Sequence, residues 1–420
     1  MSATGELGDD LLERGSLGDA AVQEDPTPYH HALHRRPIHY DPRLGFFICS
    51  TYALMRQILR DPETFSSVDS QRADALREPP AEVVALRRES YPAVNTLVTN
   101  DPPSHTRFRR MVDDPFRPRS IAALRNAIHD VVEETVDTFA GRGEFEAVRE
   151  LAIPVPVKVI ADMLGLDRGL APRIKAWSDA SVEPLGMMID DARLVACTRL
   201  IKEFQDFIAA ELEQRRQRPR EDLLTSLVTA RDAAGEGFSM PEMLSLTQQL
   251  LVAGNETTTN AIAAGVQLLI EHPEVAERLR LRQDDTELRR FAEEVLRLES
   301  PVQGLFRIVT RDVCIDGVQL PAGARVMLRF AAANRDPAQF ADPDRLDVER
   351  RNAGTHLAFG AGIHHCLGAS LAREELVSTF AELLRRGRSF ALVPGQAHPR
   401  HHPSLILRGL ESLQVRFEPL

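Results

Sequence analysis

The chain is poor in cysteine, with four in 420 residues (Cys49, Cys197, Cys314, Cys366) and no paired spacing. That excludes a disulfide framework and a CxxC zinc or redox site, and it suits a reducing compartment. No run reaches the ~18 apolar residues a membrane span requires. The first twenty residues have neither the basic start nor the apolar stretch of a secretory signal. A cytoplasmic protein without membrane insertion is therefore expected. Positive charge is in deficit too: 51 Lys and Arg stand against 62 Asp and Glu, a net charge of −11, which argues against nucleic acid as a partner. Internal repeats, low-complexity runs and Gly/Ser/Pro-rich linkers are also missing. Length alone would allow two or three domains. Without a linker, one large domain over 26–420 is expected, able to bury a cofactor-sized core, after a disordered stretch over 1–25.

Apolar periodicity predicts helices over 51–59, 81–88, 105–112, 120–140, 154–164, 168–180, 190–217 and 221–232. Ser239-Met240-Pro241-Glu242 reads as a capping box. It opens a helix that continues to Glu271-His272, where Pro273 stops it. At ~1.5 Å per residue this helix spans roughly 45–50 Å. Further helices follow over 273–281 and 286–298 and from Ala369. Short strands are expected over 307–309, 313–315 and 325–328 and near Leu405 and Val415, with Asp316-Gly317 as a hairpin turn. The fold class is mainly α with minor β.

The segment Phe359-Gly360-Ala361-Gly362-Ile363-His364-His365-Cys366-Leu367-Gly368 puts a cysteine in a glycine-bracketed loop ahead of a helix. Glycines at 360, 362 and 368 permit φ > 0 and close backbone approach. A lone sulfur among backbone N–H groups at a helix start is set up to stay a thiolate, as nucleophile or metal ligand. An isolated cysteine is more commonly a small buried hydrophobe. In the long helix, Asn255 to Asn260 are all polar, and burying them without partners would cost about 1–3 kcal/mol each. They form either a hydrogen-bonded structural kink or a proton relay. Glu294 and Arg297, three apart, could be a surface pair worth a few tenths of a kcal/mol. The basic cluster Arg107, Arg109, Arg110, Arg117 and Arg119 could be a solvated helix face. A Cys–His hydrolase would pair Cys366 with His365 or His356, but it lacks a nucleophile elbow and leaves the helix cluster unexplained.

The cysteine loop resembles the haem-ligating signature of cytochromes P450, Phe-x-x-Gly-x-His-x-Cys-x-Gly, at every fixed position. Ala253-Gly254-Asn255-Glu256-Thr257-Thr258 matches the family's oxygen-activating motif, and Glu294-Val295-Leu296-Arg297 its Glu-x-x-Arg, in family order. The resemblance covers about residues 25–420. It implies the P450 fold, a single large helical domain with small β-sheets, of the soluble bacterial class I type. It implies a haem-thiolate monooxygenase that inserts one atom of O2 into an apolar small molecule by hydroxylation or epoxidation. Electrons would come from NAD(P)H through ferredoxin reductase and ferredoxin. The cofactor would be haem b (iron protoporphyrin IX), and the enzyme a monomer.

Residue by residue, the resemblance makes Cys366 the iron ligand, whose thiolate favours O–O cleavage. Phe359, Gly360 and Gly368 would shape its loop, and His105, Arg109, Arg307 and His364 would hold the propionates. Val98, Ala253, Gly254 and Thr257 would meet the haem, with Glu256 and Thr257 delivering protons. Glu294 and Arg297 would join Arg345 in a supporting network, and the arginine cluster would dock an acidic ferredoxin. Leu97, Val98, Leu250, residues 302–306 and Leu405-Ile406 would line the substrate pocket. A non-catalytic member of the fold typically loses the cysteine or the acid–alcohol pair. Peroxide-driven oxidation would not need the Glu256–Thr257 pair.

Overall fold

The computed structural model describes residues 11–71 and 78–420. The backbone groups into two compact units, each assembled from three separated segments. The chain passes between them at Gln71, Gln283, Cys366, Ala397 and Glu411. Such repeated crossing leaves no single linker for composition to mark.

The first unit holds the chain up to Gln71 together with Asp284–Cys366 and His398–Glu411. Its five-stranded sheet runs Ile38–Asp41, Phe46–Cys49, Arg325–Leu328, Leu305–Val309, Phe65–Ser66. The pairing is antiparallel except between Phe46–Cys49 and Arg325–Leu328. Arg325–Leu328 is buried at every residue, as a central strand covered on both faces must be. Ile58, Val309, Val326, Phe330 and Phe340 pack into this unit's core. Val313–Ile315 and Val318–Leu320 form a hairpin closed by Asp316 and Gly317, at φ +50° and +77°, the two left-handed residues of a type I′ turn. The strand expected near Leu405 is only an isolated bridge, Val302 to Leu407.

Disorder was expected over 1–25. Residues 1–10 lie outside the described chain, but from Leu11 onward the expectation fails. Ala20–Glu24 and Thr27–Leu33 are helices, and Leu12, Leu17, Val22, Tyr29 and Leu33 are buried. These apolar residues are too sparse to show a period, yet each finds a tertiary partner.

The second unit holds Arg72–Gln283, Leu367–Ala397 and Ser412–Leu420. Its axis is the 32-residue helix Met240–Glu271, where both halves of the Ser239/Glu242 capping box form. Helices Pro154–Leu164, Ala171–Val182 and Ala369–Arg386 pack against it. Close approach is needed at Gly265, where a Cβ would overlap the Phe380 ring. Phe108, Ile160, Trp177, Phe204 and Leu251 anchor the core. A small sheet runs Glu144–Glu146, Gln414–Pro419, Gly387–Leu392. Among the described residues no helix is long and apolar enough to cross a membrane.

Candidate functional site

In the first unit the cysteine loop is folded by its own backbone. Gly360 N–H donates to Leu357 O at 2.8 Å, His365 N–H to Gly362 O at 3.1 Å, and Cys366 N–H to Phe359 O at 2.9 Å. Gly360 and Gly362 have φ of +64° and +69°, and a Cβ on Gly362 would meet Leu59 O at 2.7 Å. Gly368 departs from expectation. Its φ is −85° and a Cβ there would meet nothing within 4 Å, so the chain itself does not require glycine at that position. Cys366 is half-buried, which is not the placement of a core hydrophobe.

A buried network stands under this loop. Glu294 and Arg297 are fully buried and paired in two places, Nε–Oε1 at 2.6 Å and Nη2–Oε2 at 2.9 Å. Arg297 also donates to Asn334 O at 3.0 Å, and the Asn334 side-chain oxygen accepts from Leu357 N–H at 2.6 Å, where the loop begins. The expected third member, Arg345, does not put its side chain here; its carbonyl accepts from Arg297 at 3.1 Å. Arg350 takes the place instead, with Nε 3.1 Å from Glu294 Oε1, close enough to pair though not aligned as a hydrogen bond. Four residues in an irregular segment separate the two arginines, and spacing alone could not choose between them. His356 lies 3.0 Å from Glu293 Oε2 and accepts from Ala358 N–H. It braces the loop, and its ring is committed elsewhere than to a Cys–His couple.

His364 Nε2 lies 3.0 Å from Ser67 Oγ. Arg307 is buried, with one guanidinium N–H on Phe306 O at 2.8 Å. Among the proposed substrate-facing residues of this unit, Val302 and Leu305 keep exposed surface. Phe306 does not. It is fully buried, edge-on to Phe46 and under Arg325, because strand alternation turns it into the sheet's core. Gln303, Leu405 and Ile406 are buried as well.

In the second unit the middle of the long helix shows an unusual exposure pattern. Asn255, Glu256, Thr258 and Thr259 are buried, yet Ala253 is exposed and Gly254 and Thr257 are half-buried. The nearest atom to a Cβ on Gly254 would be Ile160 Cδ1 at 3.7 Å, an ordinary contact. The chain thus leaves Ala253, Gly254 and Thr257 with open surface in the middle of a helix that is otherwise largely buried there. Thr257 Oγ1 donates back to Ala253 O at 2.7 Å. Neither amide atom of fully buried Asn255 makes a hydrogen bond.

Glu256 has a partner that sequence reading missed, Lys175 on Ala171–Val182, whose Nζ lies 3.3 Å from Oε1. Lys175 also pairs with Asp179 one turn on. Burial pushes the Glu256 carboxyl up to about 6, against the pull of Lys175 and with the help of Asp179. Burial disfavours the Lys175 charge, but the two carboxylates outweigh it and raise the ammonium above its ordinary value. Nothing local in the sequence marks a lysine 81 residues upstream. Gln249 was missed for the same reason. Its side-chain oxygen accepts from Thr96 Oγ1, Leu97 N–H and Val98 N–H at 3.0, 3.0 and 3.2 Å, pinning that loop to the helix. Leu250, one residue on, is buried.

His105 and Arg109 share a face of Ser104–Val112. His105 is buried, and burial, then the nearby Arg109, lower its pKa and favour the uncharged ring. Arg109 Nε lies 3.6 Å from Asp113.

Three comparisons bear on this geometry. The family model for cytochrome P450 matches residues 187–415. The chain is 36% identical over 333 residues to the cytochrome P450 monooxygenase PikC of Streptomyces venezuelae, covering 78% of each. It is 32% identical over 399 residues to a steroid C26-monooxygenase of Mycobacterium tuberculosis, covering 95% of each. The chain belongs to the cytochrome P450 family. Its fold is similar to that of cytochrome P450 CYP109Q5 from Chondromyces apiculatus, with TM-score 0.84 and 34% identity over 96% of this chain and 98% of that one. This P450 is therefore a haem-dependent monooxygenase that hydroxylates small molecules.

The residues present fit the haem. Cys366 is a half-buried single sulfur in a rigid loop, and the described residues form no competing cluster able to hold a metal. Gly368 has open space where a side chain would stand, and Gly254 is half-buried with only an ordinary contact to Ile160. Basic groups suited to carboxylates are present in each unit: Arg307 and His364 in the first, His105 and Arg109 in the second.

Proposed function

We propose that this P450 carries haem b on Cys366 and oxidises a neutral, largely apolar substrate, with electrons from NAD(P)H delivered through ferredoxin reductase and a ferredoxin. Bound haem with a thiolate ligand supplies the reductive cleavage of dioxygen. The chain's own residues do the rest. Arg307 and Arg109 would balance the propionate charge, His364 and His105 would donate hydrogen bonds to the propionates, and Phe359 and Gly360 would shield and shape the sulfur's loop. Val98, Ala253, Gly254 and Gly368 give the macrocycle room. Thr257 positions a hydroxyl proton, and Glu256 resupplies it from solvent, its carboxyl at about 6 near the pH of work as general acid–base catalysis requires.

The single supporting observation is the Cys366 loop, a lone half-buried sulfur seated in a turn that only glycines at 360 and 362 can form. The ferrous–CO complex should show the red-shifted band of thiolate ligation. Cys366→His should convert it to a histidine-type band or lose haem, while changes at Cys49, Cys197 and Cys314 leave it intact. An unaltered band in Cys366→His would refute the assignment.

The substrate reading rests on Val302 and Leu305 of the first unit, which keep partly exposed apolar surface and no charge. A carboxylate beside them would be desolvated at a cost of several kcal/mol. The steroid named for the mycobacterial relative has the same neutral, apolar character.

A further inference from the structure

The segment with Val302 and Leu305 is held by an unusual arrangement in the first unit. Gln303 N–H donates to Ile406 O at 2.8 Å and Arg408 N–H to Pro301 O at 3.0 Å, joining residues 301–303 to the turn at 404–408. Behind this junction sits Arg329, buried with no acidic partner among the described residues. Its guanidinium donates to Gln303 Oε1 at 2.8 Å, Leu405 O at 2.9 Å and His30 Nε2 at 3.1 Å. His30 is fully buried and held neutral, so a ring accepting at Nε2 carries its proton on Nδ1. From outside, Arg408 donates to Gln23 O at 2.9 Å and Glu24 O at 3.0 Å, Ser404 N–H donates to Gln23 Oε1 at 2.9 Å, and His401 Nδ1 lies 3.0 Å from Glu24 Oε1.

A cation without a counter-ion is costly to bury. Here it satisfies three acceptors from parts of the chain that share no secondary structure. Helices Ala20–Glu24 and Thr27–Leu33 supply the remaining anchors, although nothing in the reaction calls for them.

We propose that Arg329 and the N-terminal segment 17–33 are positioning elements for the substrate: they clamp the 404–408 turn and through it fix the place of Val302 and Leu305. The inference rests on the reading that Leu305 faces the substrate.

Arg408→Ala opens the outer clamp without touching Arg329. Holoenzyme is titrated with 4-phenylimidazole, whose nitrogen takes the open haem position and whose ring takes the apolar space, and with imidazole, which lacks that ring. Loss of charge-assisted hydrogen bonds should weaken 4-phenylimidazole about tenfold and leave imidazole unchanged. Amides 404–407 should exchange hydrogen faster, the thiolate-type CO band should persist, and Arg408→Lys should recover part of the affinity. Unchanged 4-phenylimidazole affinity alongside faster exchange overturns the proposal. So does equal weakening of both ligands, which would make Arg408 a general stabiliser. Leu305→Arg tests the underlying reading separately. If it binds 4-phenylimidazole normally, the segment does not face the substrate and the reading falls. If it fails to bind while Arg408→Ala is normal, only the clamp falls.

Discussion

Gly360 and Gly368 flank the same cysteine but answer to different demands. Gly360 has a left-handed backbone that an L side chain resists; Gly368 has an ordinary φ and open space around it, so the chain's own packing does not require glycine there. Glycine alone, read in sequence, does not separate the two cases. Thr257 is similar. Its hydroxyl is back-bonded to Ala253 O, a local habit of helical threonine, yet its side chain keeps exposure where the flanking polar residues are buried. Thr257→Ala should still bind substrate but release more hydrogen peroxide per NAD(P)H consumed, with product formation falling at most ~10²–10⁴-fold, the range for a general-acid step. Peroxide assayed against product checks this. Full coupling in the variant would reduce Thr257 to a helix residue.

At the scale of elements, the boundaries that local chemistry controls were legible. The helix Met240–Glu271 begins at its capping box and ends before Pro273, and the hairpin turns at Asp316-Gly317. Hidden were the pairings between elements, such as Lys175 on one helix against Glu256 on another. That pairing has a pH signature. Because Glu256 titrates higher folded than in the unfolded chain, its contribution to stability is present below the unfolded value of ~4.5 and is lost as pH rises through about 6. Glu256→Gln should flatten the melting temperature across that window. Lys175→Met, which removes the charge opposing the upward shift, should move the window to higher pH. Melting curves from pH 4 to 8 measure both, at ~0.5-unit steps fine enough to resolve a one-unit shift. Superimposable profiles for Lys175→Met and the parent would mean that the ion pair does not govern Glu256.

At the scale of the molecule, the arginine cluster between 107 and 119 is smaller than its sequence suggests. Arg107 is tied to Asp232, Glu242 and Gly237 O, locking the start of the long helix, and Arg117 is paired with Asp113 and Asp114. Arg110 and Arg119 stand exposed. If an acidic ferredoxin docks here, Arg110→Glu should slow the first electron transfer on the order of threefold to tenfold at low salt and weaken its ionic-strength dependence. Arg117→Glu should do less, because its charge is already met. Stopped-flow reduction across a salt series gives both numbers. Salt-independent reduction of the parent enzyme would remove this face from consideration.

The sequence by itself determined the family, the cysteine, the long helix with its acid–alcohol pair and the Glu294–Arg297 couple. Each is written in residues close along the chain, whose spacing follows from helix and turn geometry. Only the tertiary structure decided that Arg350 and not Arg345 meets Glu294, that Phe306 belongs to the sheet's core, that Lys175 faces Glu256, and that Leu12, Leu17, Val22 and Tyr29 are buried near the chain's start. Those outcomes depend on which distant groups satisfy a buried charge or a sparse apolar residue, and burial is a property of the packed chain, with no counterpart in the local order of its residues.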